Sequence, residues 1–284
     1  MQIRARRAFM ATRPRARKRM PKQLQPDAVR LEYSKSLIAL LRAAHRMVQQ
    51  RLYPEIPALV REAGRADAAH MDAMPPGKRV NLLMQKLAED YYDTVATPKV
   101  LEDVAEKYAA RTSSFQREQL NKQVHSVVGI DILHTEPNLV PLVQAFTSEN
   151  VALIKSVSQT YFGDIEKRML AGLRTGERAE SMVADFEGRF GVSESSALRI
   201  ANDQIGKLYG DLNSTRQQAL GVESFVWETS NDERVRESHA ELQGETFRWD
   251  DPPEVDGEIA TPGSSINCRC NAAPDLSAIL DSLE

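Results

Sequence analysis

Apolar residues recur along this chain mostly at three- and four-residue steps, the period of a helix with one buried face. Leu37, Leu40, Leu41, Ala44, Met47, Val48 and Leu52 make one such stripe, which Pro54 and Pro57 interrupt. Val80, Leu83, Leu87 and Tyr91 make a second after the turn signal Pro75-Pro76-Gly77. Leu101, Val104, Ala105 and Tyr108 make a third behind Pro98, a good first-turn residue, and Gly129 offers an end to it. Pro137 and Pro141 bracket a further start, and Leu142, Val143, Phe146, Val151, Ile154 and Val157 predict a helix running towards Leu173. A short helix is expected over 177–190, closed by Gly191. Another opens at Ser193, with Leu198, Ala201, Ile205, Leu208 and Leu212 on one face and Gly221 at its end.

Beyond Gly221 the period changes. Residues 223–229 and 245–249 carry β-branched and aromatic residues in the alternation of strands, and 250–265 is a loop rich in Pro, Gly and acid. The expected class is therefore mainly α: a long helical N-terminal region followed by a small α+β C-terminal module. The expected organisation is a basic arm over 1–26, a helical region over 27–135, and a third unit over 136–284 that ends in the module. No internal repeat is visible. Low aromatic content, 6%, and an abundance of Ala, Leu, Glu, Gln and Arg agree with helix.

Charge divides the chain unevenly. Arg4, Arg6, Arg7, Arg13, Arg15, Arg17, Lys18, Arg19 and Lys22 are nine basic residues with no acid among positions 1–26. The remaining 28 basic residues face all 40 acidic ones, so the body is near −12 although the chain as a whole is −3. A block of like charge without an apolar stripe is expected to be disordered when free and to be drawn to DNA or another polyanion. A solvated tail, or translation from Met20, reads the same residues differently. No apolar run approaches the roughly 20 residues that cross a membrane, and no apolar segment follows the basic start as it would in a secretory signal. The expectation is synthesis in the cytoplasm and no membrane contact.

Candidate chemistry gathers near the C-terminus. Ser230 and Glu233 have capping-box spacing, so a short helical turn is expected over 231–240, with Asp232 and Arg236 paired on one face. Cys268 and Cys270, the only cysteines, would point to one face of an extended segment. With the His239 imidazole they could supply three ligands of a tetrahedral zinc ion, Asp232 or water being the fourth. The same residues could equally be small buried hydrophobes beside a satisfied histidine. A disulfide across one residue would be strained and would not persist in a reducing cytosol.

The ordered set Trp227, Asp232, Arg236, His239, Gly244, then Thr261-Pro262-Gly263, then Asn267-Cys268-Arg269-Cys270, behind a helix bearing Arg199-Ile-Ala-Asn-Asp-Gln204, resembles the phage Mu F-like minor head protein family over roughly 193–274. The resemblance implies a low-copy structural protein of a tailed-phage head. Such a protein acts in head assembly near the portal, with the portal, major capsid or scaffolding protein as partners and packaged DNA as a contact of the basic arm. It also implies a virion location, and a common core made of Trp227, Asp232, Arg236, His239, Gly244, Asn267, Arg269 and the two cysteines, with no catalytic role. A zinc-dependent or Cys/His hydrolase or nuclease using the same residues is the alternative. Against it, the chain has no His-Glu-x-x-His, phosphate-binding glycine loop or Gly-x-Ser-x-Gly.

Overall fold

A computed structural model describes residues 20–64, 74–132 and 136–282. Six long or medium helices make the body: α1 (Asp27–Arg51), α2 (Ile56–Ala63), α3 (Pro76–Thr94), α4 (Pro98–Val128), α5 (Val140–Thr175) and α6 (Ala179–Ala219). The C-terminal module holds β1 (Ser224–Glu228), the single-turn α7 (Glu237–Ala240), β2 (Thr246–Arg248), β3 (Glu254–Val255), β4 (Glu258–Ile259), β5 (Asn271–Pro274) and α8 (Ser277–Ser282). The fold is therefore mainly helical with a small antiparallel region at its C-terminal end. No helix among the described residues is long and apolar enough to cross a membrane.

The stripes become one core. Leu37, Leu41, Ala44 and Val48 of α1 pack with Val80, Leu87 and Tyr91 of α3, Leu101 and Tyr108 of α4, Ile154, Tyr161 and Ile165 of α5, and Ala197, Ala201, Ile205 and Leu212 of α6. This cluster runs without a break across the expected boundary near 135, because α1 lies against α6 and α4 against both α5 and α6. Residues 27–135 and the helices after them thus share their buried faces. The local signals at Pro98 and Gly129 act as read: Pro98 opens α4 behind the Thr97 cap, and Gly129 closes it at φ 81°.

Two local expectations need correction. The helices expected over 177–190 and from Ser193 are one continuous α6. Gly188 and Gly191 lie within it, and Ser193 Oγ bonds back to the Arg189 carbonyl, 3.1 Å away, where a capping serine would reach forward. Each glycine costs the helix about 1 kcal/mol relative to alanine. Burial of Met182 and Phe186 on one side and Ala197 and Ala201 on the other keeps the axis intact. Likewise the turn expected over 231–240 is helical only from Glu237, because Asn231 sits in the left-handed region at φ 56°.

The segment before α1 is not a free arm throughout. Within the stretch expected to be disordered, residues 20–25 lie across the junction of bundle and module. Gln23 is buried and exchanges hydrogen bonds with Asn213, while Gln25 Nε2 donates to the Arg269 carbonyl and to Asn271 Oδ1. The Arg4, Arg6, Arg7, Arg13, Arg15, Arg17, Lys18 and Arg19 positions of the expected nucleic-acid contact lie outside the described residues.

Candidate metal centre

The module is built around β1, the middle strand of a three-stranded antiparallel sheet in the order β2-β1-β5. Its alternation sends Phe225 and Trp227 inward, where they are fully buried. Register pairs Trp227 with Ala272 and Val226 with Thr246. With Val255, Ala260, Cys268, Cys270 and Ala272 these residues make a core of only seven buried side chains. A core of that size supplies little hydrophobic stabilisation by itself.

Into this core come two segments without regular structure of their own. The first is the turn after β1. Gly244 at φ 85° lets the chain reverse, and its N–H donates to the Trp227 carbonyl at 2.8 Å. That reversal carries α7, and with it His239, back over the sheet. His239 is buried, and its ring stands edge-on to Trp227 with centroids 5.5 Å apart. The second segment is the run into β5. Asn267 at φ 56° turns the chain, and its N–H donates to Asp203 Oδ1 of α6 at 2.9 Å. Cys268 and Cys270 follow, both buried.

Both sulfur atoms lie 3.5 Å from His239 Nδ1. The three donor atoms lie within 4.8 Å of one another and form the metal-competent cluster among the described residues. Tetrahedral zinc, with Zn–S near 2.3 Å and Zn–N near 2.0–2.1 Å, separates a nitrogen and a sulfur ligand by about 3.6 Å. The observed 3.5 Å spacings fit such a ligand set as well as they fit hydrogen bonds to the ring nitrogen, and the donor types are those zinc takes. Hydrogen bonding between the two thiols lowers Cys268 below the usual thiol range and pushes Cys270 above it.

Asp232 does not join the triad. Its Oδ1 accepts from the Arg234 N–H at 3.0 Å and from Arg269 Nη2 at 2.5 Å. The expected Asp232–Arg236 pair is therefore replaced. Arg236 Nη2 donates instead to the Ile266 carbonyl at 2.8 Å, because the turn at Asn231 removes the helical register that would have brought it to Asp232. Asp232, Arg236, Asn267 and Arg269 thus fasten the cysteine loop to the loop after β1 and to α6.

All three donors line a cavity of about 580 Å³ whose walls also include Arg30, Arg234, Arg236 and Arg269. Sequence reasoning missed Arg30 and Asp203, which reach this region from α1 and α6. Arg30 left one trace. It stands on the same helical face as Ser34, Leu37 and Leu41, where a solvated arginine does not belong. Asp203 lies in the Arg199–Gln204 run of the resemblance, but nothing local pairs it with Asn267, 64 residues away.

A small antiparallel module, docked on a helical bundle and laced by a Cys-x-Cys/His cluster, is the class of protein that these observations define. Residues 163–273 match the family described as Phage Mu protein F like protein. The match takes in the end of α5, all of α6 and the module through β5. An uncharacterized protein of Haemophilus influenzae is 30% identical over 196 residues, 68% of this chain, and the chain spans 43% of that relative's length. No solved structure matches.

Proposed function

We propose that this protein is a structural minor component of a tailed-phage head, acting in head assembly at the portal or on the procapsid interior. The match of 163–273 to the Phage Mu protein F like family carries the reading. The fold supports it: the matched helix α6 serves as the platform on which the module docks, and the residues singled out in the module fasten loops to one another. Its partners would be the portal, major capsid or scaffolding protein, with the basic residues 4–19 touching packaged DNA. Co-expression of the chain with those three head proteins of its own phage tests this. The chain should co-sediment with procapsids in few copies. Normal heads that exclude it would overturn the reading.

Within that role His239, Cys268 and Cys270 hold one zinc ion, which cross-links the turn after β1 to the run into β5. The 3.5 Å nitrogen–sulfur spacings support this. Elemental analysis of the purified chain should give about one zinc, lost in C268S/C270S together with thermal stability of the module. A metal-free wild-type chain would leave the cysteines as packing residues.

A second reading, a zinc-dependent hydrolase or nuclease, draws on the position of the three donors at a cavity wall. Zinc lost from C268S/C270S without loss of stability, together with DNA cleavage by the wild-type chain that H239A lacks, would favour it over the structural role.

A further inference from the structure

The cavity beside the triad has a composition that structural cross-linking does not require. Four arginines line it, and Asp27 is the one acid among its lining residues. Asp27 is occupied with Arg30 Nη1 at 3.2 Å, and Arg269 is occupied with Asp232. Arg234 has no ion pair among the described residues, and Arg236 spends one nitrogen on a neutral carbonyl. Arg30 is more than nine-tenths buried, and its Nε has no hydrogen-bond partner. Burying a guanidinium with an idle donor is costly unless something meets it.

Counting Asp232 with the lining residues, four positive charges meet two negative ones, an excess of about two. Zinc on two thiolates and a neutral imidazole would add no net charge. It would, however, bring a vacant tetrahedral position, because three protein donors leave one. A ligand suited to this wall therefore carries about two negative charges, offers an oxygen to the metal, and presents further oxygens to planar guanidinium forks.

We propose that this cavity binds a phosphoryl group, one oxygen of which completes the zinc set of His239, Cys268 and Cys270 while the others accept hydrogen bonds from Arg30, Arg234 and Arg236. The inference rests on the zinc reading above. Phosphate is a dianion near neutral pH and has the oxygens for both roles. At about 580 Å³ the cavity has room for a nucleotide as well as for the free ion. The group can thus come from free phosphate or from the phosphorylated end of a DNA strand. The site differs in kind from a contact through the basic N-terminal segment, which would be diffuse and would read no terminal group.

The test uses the full chain loaded with cobalt in place of zinc, its metal content fixed first. Inorganic phosphate at millimolar concentration should shift the visible absorption of the bound cobalt. R234A/R236A should retain one metal per chain, lose some melting temperature with the Arg236–Ile266 bond, and weaken phosphate binding by at least tenfold. Two short oligonucleotides that differ only in a 5′-phosphate then separate the sources. Preference for the phosphorylated strand assigns the site to DNA ends, and equal affinity assigns it to free phosphate. A metal-loaded chain whose spectrum ignores phosphate overturns this proposal and leaves the zinc reading intact. A chain that takes up no metal overturns both. Phosphate binding that R234A/R236A leaves unchanged also overturns it, since the arginines would then play no part.

Discussion

A methyl group on Gly210 would sit 2.9 Å from the Pro262 carbonyl oxygen and 3.5 Å from the Gly263 Cα. Gly263 itself is held at φ 97°, and a Cβ on it would sit 3.3 Å from both the Gly206 carbonyl oxygen and the Gly210 Cα of α6. Two glycines one turn apart on α6 thus make a shallow seat for the Thr261-Pro262-Gly263 loop, which leads into the cysteines. Replacing Gly210 by alanine forces backbone apart, so G210A should destabilise the chain by about 1–3 kcal/mol. Gly188, on the same helix, has nothing within 4 Å of its virtual Cβ and ordinary helical φ. G188A should therefore stabilise by up to about 1 kcal/mol, through helix propensity. Urea denaturation of the two variants checks the pair, and equal effects would show that the seat is not tight. In the sequence both glycines look alike, as weak helix formers within an apolar stripe. Only the approach of a loop more than 50 residues downstream distinguishes them.

Between elements, buried amides do what the small module core cannot. Asn213 of α6 donates to the Ala272 carbonyl of β5 at 2.8 Å, and its Oδ1 accepts from Gln23, Gln116 and Gln217. One side chain therefore ties the segment before α1, α4, α6 and the sheet together. N213A would strand several buried donors and should cost about 2–4 kcal/mol, measurable by urea denaturation. The same network predicts the effect of a truncation. Removing residues 1–25 deletes Gln23 and Gln25 and should lower the melting temperature by several degrees. A chain indifferent to this truncation would show that residues 20–25 merely rest on the junction. A charged knot joins α5 to α6 in a different way. Arg168 bonds Glu177 at 2.6 Å and also Asp185, and these hydrogen bonds hold both carboxylates below their ordinary range. Depressed folded-state values mean that the stabilisation is present at neutral pH and lost as pH falls through the folded values. Its size is limited by partial exposure. Melting curves from pH 7 to pH 3 should fall less steeply for R168A than for the wild type, and parallel curves would remove the knot from the account.

At the scale of the whole molecule, legibility followed the range of the interaction. The helical body was readable because each stripe is a local pattern, and Pro98, Gly129 and Gly221 punctuate it locally. The strands at 224–228 and 246–248 were readable from alternation, within one or two residues of their ends. The continuity of α6 was not, since two glycines and a serine signal an end, and burial on both sides overrides them. Nor was the single core across residue 135, which depends on α1 lying against α6 some 150 residues away. The triad was legible as three residue types at suggestive spacing. The arginine wall around it was not, because Arg30 comes from the first helix and the rest from positions 234–269.

On the proposed zinc reading, that mixed origin sets how the molecule should respond to chelation. The six helices share one large core that does not include His239, Cys268 or Cys270. The module has a hydrophobic cluster of seven buried residues and two irregular segments that the metal would join. Binding energy at such a site is local folding energy, so chelation should release the module and spare the bundle. Hydrogen exchange read by mass spectrometry after chelator treatment should rise in β1, in 237–245 and in 266–274. The buried faces of α1, α4 and α5 should keep their protection. The part of α6 that seats the loop, around Asp203 to Gly210, should show an intermediate rise, because the Asn267–Asp203 bond and the glycine contact go with the loop. Uniform deprotection of all helices would mean that module and bundle fold as one unit. No change anywhere would mean that the amide network alone holds the module in place.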